Sequence, residues 1–352
     1  MIASSPPRRM DRHYNGLQYL RALAASMVLA VHAFKFNTFP LGLLGSGVDL
    51  FFVLSGFLMV AITDEATRPW PFLLARLRRI VPLYWLLTTA MVIVLWGAVS
   101  WRSPIPFWYL SVYTTDVPAR LIAASYTFIP VWNSGANKPW PVIPGGWTLN
   151  LEMMFYVLFA LSLYLPRRWQ LAALTATMLT LALVGIFAPP DSPTLVAWTQ
   201  PVIIDFVVGA WIGYIWQNGL NMARGFAKIT VFILALSAVM VFVGSIAIES
   251  FRFVFSIPYG ALLIWVLKAE ARPNGIRRLS LPYFLGNASY AIYLVQFAPI
   301  AILDMHDIAR GPVFASTVII VTMITAAPLY LWVERPMLRL LGNRQPASAR
   351  RS

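Results

Sequence analysis

Ten apolar stretches dominate this chain of 352 residues: 16–36, 46–63, 80–100, 148–165, 170–188, 200–217, 228–248, 253–268, 284–303 and 313–333. Each approaches or reaches the length needed to cross about 30 Å of hydrocarbon as a helix. Hydrophobic residues make up 59% of the chain and charged ones only 11%, where a soluble domain is about half apolar and about a quarter charged. The mean hydropathy is +0.70. With no water in the bilayer core to satisfy exposed backbone groups, spans of this length must be helical. The sequence therefore predicts an all-α, polytopic integral membrane protein of about ten transmembrane helices with both termini cytoplasmic.

The basic residues test this count independently, because cytoplasmic loops accumulate Lys and Arg. Ten spans from a cytoplasmic N-terminus place 20 of the 27 Lys and Arg residues inside, from Arg8 and Arg9 to Arg350 and Arg351, and six outside: Lys35, Arg102, Arg120, Lys138, Arg252 and Arg310. Arg21 remains within a span. The net charge of +14 is thus a topology signal, spread over loop ends and ill suited to nucleic acid. Residues 1–340 read as one membrane domain and 341–352 as a basic cytoplasmic tail whose arginines suit anionic lipid headgroups. Arg8 and Arg9 precede an apolar stretch as in a secretory signal, but no small-residue cleavage site follows, so the first helix is expected to be retained. Cysteine is absent, which excludes thiolate nucleophiles and disulfides. The Pro-, Trp- and Tyr-rich stretch from Trp101 to Gly146 is expected to pack at the outer interface as partial helices or a lid.

Ionisable groups at membrane depth are costly and point to function. Arg21 and His32 are eleven residues apart, within roughly 20° of one helix face and about 16 Å apart along the axis. That layout places a cation low and an imidazole high, suited to gripping an anion on one side and moving a proton on the other. Topology puts Asp49, Glu152 and Asp205 near the outer ends of their spans, at the level of His32, while Arg76, Arg78 and Arg79 join Arg21 in the inner layer. Taken singly, each has a structural reading: snorkelling for Arg21, a wetted helix end for His32, the helix dipole for Asp49 and Glu152, positive-inside anchoring for the three arginines. The joint layout favours chemistry.

His13 lies in the N-terminal tail and His306 in an outer loop, leaving His32 the sole intramembrane imidazole, so no His-rich metal centre is expected. No G-x-S-x-G elbow, phosphate loop or dinucleotide fingerprint occurs. Gly209 and Gly213 fit small-residue helix packing.

Several segments carry a family resemblance. Gly16-Leu17-Gln18-Tyr19-Leu20-Arg21 leading to His32 resembles the opening R-x10-H motif of the membrane-bound acyltransferase 3 family. Gly47 to Phe57, Arg76 to Trp85, Gly286 to Val295 and Glu334-Arg335-Pro336 resemble further signatures of that family. Gly146 to Tyr156 is especially similar to its branch of rhizobial exopolysaccharide O-acetyltransferases. Where many members have His after the Ser-Tyr-x-x-Tyr-Leu stretch this chain has Gln296, which puts a second base there in doubt.

The resemblance implies a membrane O-acyltransferase, usually an acetyltransferase, in the bacterial cytoplasmic (inner) membrane. Its donor would be cytoplasmic acyl-CoA, consumed as a substrate with no permanently bound cofactor, and its acceptor a hydroxyl of an exopolysaccharide or other envelope glycan or its lipid-linked precursor. Because some relatives carry an extracytoplasmic esterase-like domain, this membrane unit is expected to act alone or pass its acyl group to a separate polysaccharide-assembly protein. Arg21, Arg76, Arg78 and Arg79 are candidates for holding the coenzyme A phosphates, since guanidinium groups grip phosphate with paired hydrogen bonds. A sugar hydroxyl needs a base near neutral pKa; His32 supplies it, and a carboxylate such as Asp49 or Glu152 could fix its tautomer. A proton-coupled transporter or flippase of a lipid-linked sugar is the alternative, with the same ionisable groups as a relay, although transporters often show repeated halves and this chain shows none. A non-catalytic scaffold in polysaccharide export is a third reading.

Overall fold

The computed structural model describes residues 14–34, 41–100, 119–133, 138–187, 190–242, 248–305, 308–309 and 311–342. Residues 101–118 of the outer stretch, the tail beyond 342, the terminal arginines, His13 and His306 lie outside the described residues. The α-helices are α1 (Asn15–Phe34), α2 (Gly47–Ala61), α3 (Pro69–Ser100), α4 (Ala119–Thr127), α5 (Gly146–Ser162), α6 (Arg167–Phe187), α7 (Pro193–Trp198) and α8 (Ile204–Gln217). They continue with α9 (Met222–Phe242), α10 (Ser256–Glu270), α11 (Ser280–Asn287), α12 (Ser289–Val295), α13 (Phe297–Met305), α14 (Pro312–Pro328) and α15 (Arg335–Gly342). Among the described residues there is no strand, only an isolated bridge between Asn133 and Lys138.

Among the described residues, each of the ten apolar stretches falls largely on helix. Among the described residues, 6 helices are long and apolar enough to cross a membrane, or 7 if the bent pair formed by Ser280–Asn287 and Ser289–Asp304 is one span. That pair replaces the straight helix expected over 284–303 and bends by 60°. The third helix starts at Pro69, well before the predicted 80. At 32 residues it is about 48 Å long, so Arg76, Arg78 and Arg79 are part of the helix and not of a loop before it. Ile93, Trp96, Val231, Trp265 and Ile324 are exposed on the outside of the bundle, an apolar exterior of the kind lipid tails cover.

Contacts sort the helix ends into two faces. On one, the Gly16 N–H at the start of α1 donates to Glu270 Oε1 at the end of α10 (2.6 Å). There too Gln217, ending α8, donates to the Thr63 carbonyl just past α2 (2.7 Å) and accepts from Arg167, which opens α6 (2.5 Å). Arg78 reaches the Leu341 carbonyl in α15. On the other face, Asp49 at the start of α2 meets Arg252, in the 3-10 segment Ile248–Phe255 before α10 (2.6 Å). His32, near the end of α1, meets Gln296 just past α12. The first face carries basic residues assigned to the inside from sequence, and the second carries Arg252, assigned to the outside.

At the centre α2 and α8 run parallel in backbone contact. A Cβ at Gly56 would stand 2.0 Å from the Phe206 carbonyl oxygen, and one at Gly209 2.0 Å from that of Val53. Gly213 continues the seam, 2.9 Å from the Phe57 carbonyl oxygen by the same measure, as the small-residue spacing predicted. Phe206 is sandwiched between Phe52 (ring centroids 4.3 Å apart) and Phe155 (4.4 Å), which locks α5 against the pair. Because neither backbone can yield locally, Gly209→Leu should force α2 and α8 apart. We expect severe loss of folded protein by size-exclusion chromatography in detergent, whereas Gly311→Ala, which has nothing within 4 Å of its Cβ, should be neutral. A monodisperse Gly209→Leu protein with wild-type melting would show that this contact is not needed.

Candidate active site

A cavity of about 90 Å³ opens between α1, α2, α3, α5 and α12. Arg21, Arg79, Tyr156 and Tyr290 line its inner part, Ser55 and Glu152 its middle, and Phe51, Thr148 and Tyr293 its outer part. From Thr148 to Tyr156 the wall follows α5 for about 12 Å of helical rise. The fold positions these groups by short polar ties: the Tyr290 hydroxyl donates to the Ile80 carbonyl (2.8 Å), and the Tyr293 hydroxyl to that of Gly145 (3.1 Å). Tyr293 also shares a 2.9 Å hydrogen bond with the Thr148 hydroxyl.

The four inner arginines do not act as one group. Arg21 and Arg79 line the cavity. Arg76 stacks over the Phe72 ring, 6.0 Å from its centroid, close enough to Glu152 and Tyr156 to feel their charge and dipole. Arg78 points away toward Leu341. Helix geometry explains the split: residues 76 and 79 are three apart and share a face, whereas 78 is rotated off it by about 100° from 79. Glu334 is a participant that sequence reasoning left unused, although it stands in the Glu-Arg-Pro motif. It is buried, and the opposing charges that act on it are those of Arg21 and Arg79. It closes a π-helical segment, Leu329–Glu334, that follows Pro328; such segments often mark functional positions. Three cations, Arg21, Arg76 and Arg79, therefore face two carboxylates, Glu152 and Glu334, leaving an excess of positive charge to receive an anion.

The expected single layer of His32, Asp49, Glu152 and Asp205 divides into three. Glu152 Oε1 accepts hydrogen bonds from Ser55 Oγ (2.8 Å) and from the Tyr156 hydroxyl. Since Ser55 is six residues into α2 from Asp49, Glu152 lies about 9 Å deeper than that aspartate. Asp49 is fully buried and bonded to Arg252, which also donates to the Gly45 carbonyl (3.2 Å). Asp205 lies beside Asp49, its first-turn counterpart on α8, so the pair and Arg252 tie together the starts of α2, α8 and α10. Neither carboxylate expected to orient His32 does so: Asp49 faces Arg252, and Glu152 faces Ser55 and Tyr156. Instead His32 Nδ1 lies 3.3 Å from Gln296 Oε1, and its ring packs 5.1 Å from that of Phe297. His32 stands just beyond the outer end of the cavity, because Gln296 and Phe297 follow Tyr293 by less than one turn and just over one turn, respectively.

Known proteins resemble this chain over most of its length. An acyltransferase-domain family model, that of acyltransferase 3, matches residues 14–332. Exopolysaccharide production protein ExoZ of Rhizobium meliloti (strain 1021) is 36% identical over 302 residues, covering 84% of this chain and 89% of that protein. Acyltransferase MdmB of Streptomyces mycarofaciens is 26% identical over 97% of this chain and 96% of its own length. The putative peptidoglycan O-acetyltransferase YrhL of Bacillus subtilis (strain 168) is 25% identical over 93% of this chain and 55% of that protein. No solved structure matches the chain.

The hydrogen bonds to Glu152 make a prediction about the cavity wall. Glu152→Gln keeps an acceptor for Ser55 and Tyr156, whereas Glu152→Leu leaves both hydroxyls unpaired, at a cost of about 1–3 kcal/mol each. The Leu variant should therefore melt well below the Gln variant in detergent by intrinsic fluorescence. Equal melting temperatures would show that solvent satisfies the two hydroxyls.

Proposed function

The chain belongs to the acyltransferase 3 family, and on that footing we propose that it moves an acetyl or other acyl group from cytoplasmic acyl-CoA to a hydroxyl of an exopolysaccharide or its lipid-linked precursor. The observation that carries this reading is the cavity itself, with two arginines at its inner end and an imidazole just past its outer end. Arg21 and Arg79 hold the phosphates of the donor by charge-assisted hydrogen bonds, and the extended pantetheine arm bridges the roughly 16 Å of helix between Arg21 and His32. His32 removes the proton of the acceptor hydroxyl as its oxygen attacks the thioester carbonyl carbon. The new C–O bond forms, the C–S bond breaks, and the proton passes from the imidazole to the departing thiolate. The similarity to the exopolysaccharide production protein supports a glycan acceptor. Ten crossings of the bacterial inner membrane, with both termini cytoplasmic, put the arginines on the side where acyl-CoA is found.

Binding and turnover separate the two ends of the cavity. A hydrogen bond to a charged group is worth roughly 1.5 to 3 kcal/mol, so Arg21→Gln and Arg79→Gln should weaken binding of a non-hydrolysable acetyl-CoA analogue about ten- to a hundredfold. Arg78→Gln should bind like wild type. His32→Ala should bind the analogue yet fail to transfer label from acetyl-CoA, with a loss on the order of 10²- to 10⁴-fold. Wild-type binding by both the Arg21 and Arg79 variants would place the donor elsewhere, and no reaction of the wild-type protein with labelled acetyl-CoA would favour the transporter reading. Orientation is tested by reporter fusions: one after Gly219 should report cytoplasm and one after Pro190 the outside. The same side for both contradicts ten crossings.

A further inference from the structure

Gln296 is fully buried, and its amide is held at both ends. Nε2 donates to the Tyr293 carbonyl oxygen at 2.8 Å, while Oε1 lies 3.3 Å from His32 Nδ1. A carbonyl oxygen can only accept, so the amide nitrogen must face Tyr293 and the amide oxygen must face the imidazole. An amide oxygen is likewise only an acceptor. The hydrogen bond therefore forms only when Nδ1 of His32 carries a proton, and in the neutral ring that leaves Nε2 unprotonated.

From this geometry we infer that Gln296 is a positioning residue which fixes His32 in the Nδ1–H tautomer and so presents Nε2 as the base. The inference rests on the reading of His32 as the base. It gives Gln296 the task that a carboxylate or backbone carbonyl often performs for a functional histidine, namely choosing which nitrogen holds the proton. Several features keep the amide from turning over. Tyr293 is anchored through its hydroxyl to Gly145 and Thr148. The Phe297 ring next in sequence lies against both His32 and the bare Cα of Gly145, where a Cβ would stand 2.4 Å from ring atom Cε2. A flipped amide would set its NH2 group against an Nδ1–H and its oxygen against a carbonyl oxygen, losing both hydrogen bonds in a buried site at about 1–3 kcal/mol each.

The tautomer can be read directly. The chain has 3 histidines, so ¹⁵N-histidine-labelled protein in micelles gives few signals, and comparison with His32→Ala assigns those of His32. The wild-type spectrum should show neutral His32 with Nδ1 protonated and Nε2 bare; a proton on Nε2 overturns the inference without any variant. Gln296→Leu should lose the preference and lower kcat about ten- to a hundredfold, the usual scale for removing a partner that orients a histidine, with KM for acetyl-CoA unchanged. Gln296→Glu keeps an acceptor opposite Nδ1 and should recover most of the lost kcat. Should the Glu variant be as slow as the Leu variant, or the Leu variant keep both tautomer and kcat, Gln296 only packs. Failure of the base reading appears differently, as full turnover by His32→Ala, and leaves the tautomer measurement standing.

Discussion

Hydrocarbon offers no hydrogen bonds, so each polar atom within the bundle must be paired by the protein itself or face a cavity. That constraint accounts for the arrangement of this protein more fully than apolar packing does, since lipid tails are as apolar as the side chains they meet. Its simplest use is local. Thr89, Ser125, Thr175 and Thr317 each return a hydroxyl to the carbonyl four residues back, which satisfies the hydroxyl within its own helix. Where a side chain cannot do so, it draws two elements together. Asp49 with Arg252, Gln217 with Thr63 and Arg167, and Tyr290 with Ile80 are all of this kind. On the cavity wall, Glu152 pairs with Ser55 and Tyr156.

Close approach of helix backbones is the counterpart of that pairing. With Gly56 and Gly209 facing each other's helices, α2 and α8 come near enough for Asp49 and Asp205 to be neighbours at one end and for Gln217 to reach Thr63 at the other. The same device seats α1: a Cβ at Gly286 would stand 2.0 Å from the Gln18 carbonyl oxygen, which sets α11 against the inner half of α1. Arg21 follows Gln18 by less than one turn, so this contact also fixes the depth of the arginine relative to α12 and the tyrosines that line the cavity. The site is thus held by backbone contacts on two sides and not by its own polar bonds alone.

Much of this was legible in the sequence. Apolar length located the helices, 6 or 7 of which are long and apolar enough to cross a membrane among the described residues, and the Gly209 and Gly213 spacing identified a helix seam. Arg21 and His32 share one helix, α1, as their spacing implied, with Arg21 on the cavity wall and His32 beyond its outer end. The division among Arg76, Arg78 and Arg79 was legible too, since a three-residue spacing puts the first and last on one face, but starting the third span at residue 80 hid it. The identity of the partner of His32 was not. Asp49, Glu152 and Gln296 all come from other helices, and choosing among them requires the relative depth of α2, α5 and α12. Depth depends on where helices start: α5 begins at Gly146 and α12 follows a 60° bend, neither of which hydropathy records. The π-helical turn that carries Glu334 is invisible for the same reason, as it changes the face of a side chain without changing the pattern.

A neutral partner for the imidazole fits the charges around it. The carboxylates near the outer face are already engaged, Asp49 with Arg252 and Asp205 beside it, and Glu152 sits deeper, within reach of the field of Arg21 and Arg76. A third carboxylate opposite His32 could fix the same tautomer, but it would add a further anion to a low-dielectric region. An amide selects the tautomer without adding charge. It thereby separates orientation, supplied by Gln296, from anion binding, supplied by Arg21 and Arg79 about 16 Å away along the helix, and leaves positive charge concentrated at the inner end alone. A donor that carries phosphate at one terminus and an acyl group at the other would be drawn in by its charged end, with its reactive end directed toward the one ring prepared to take a proton.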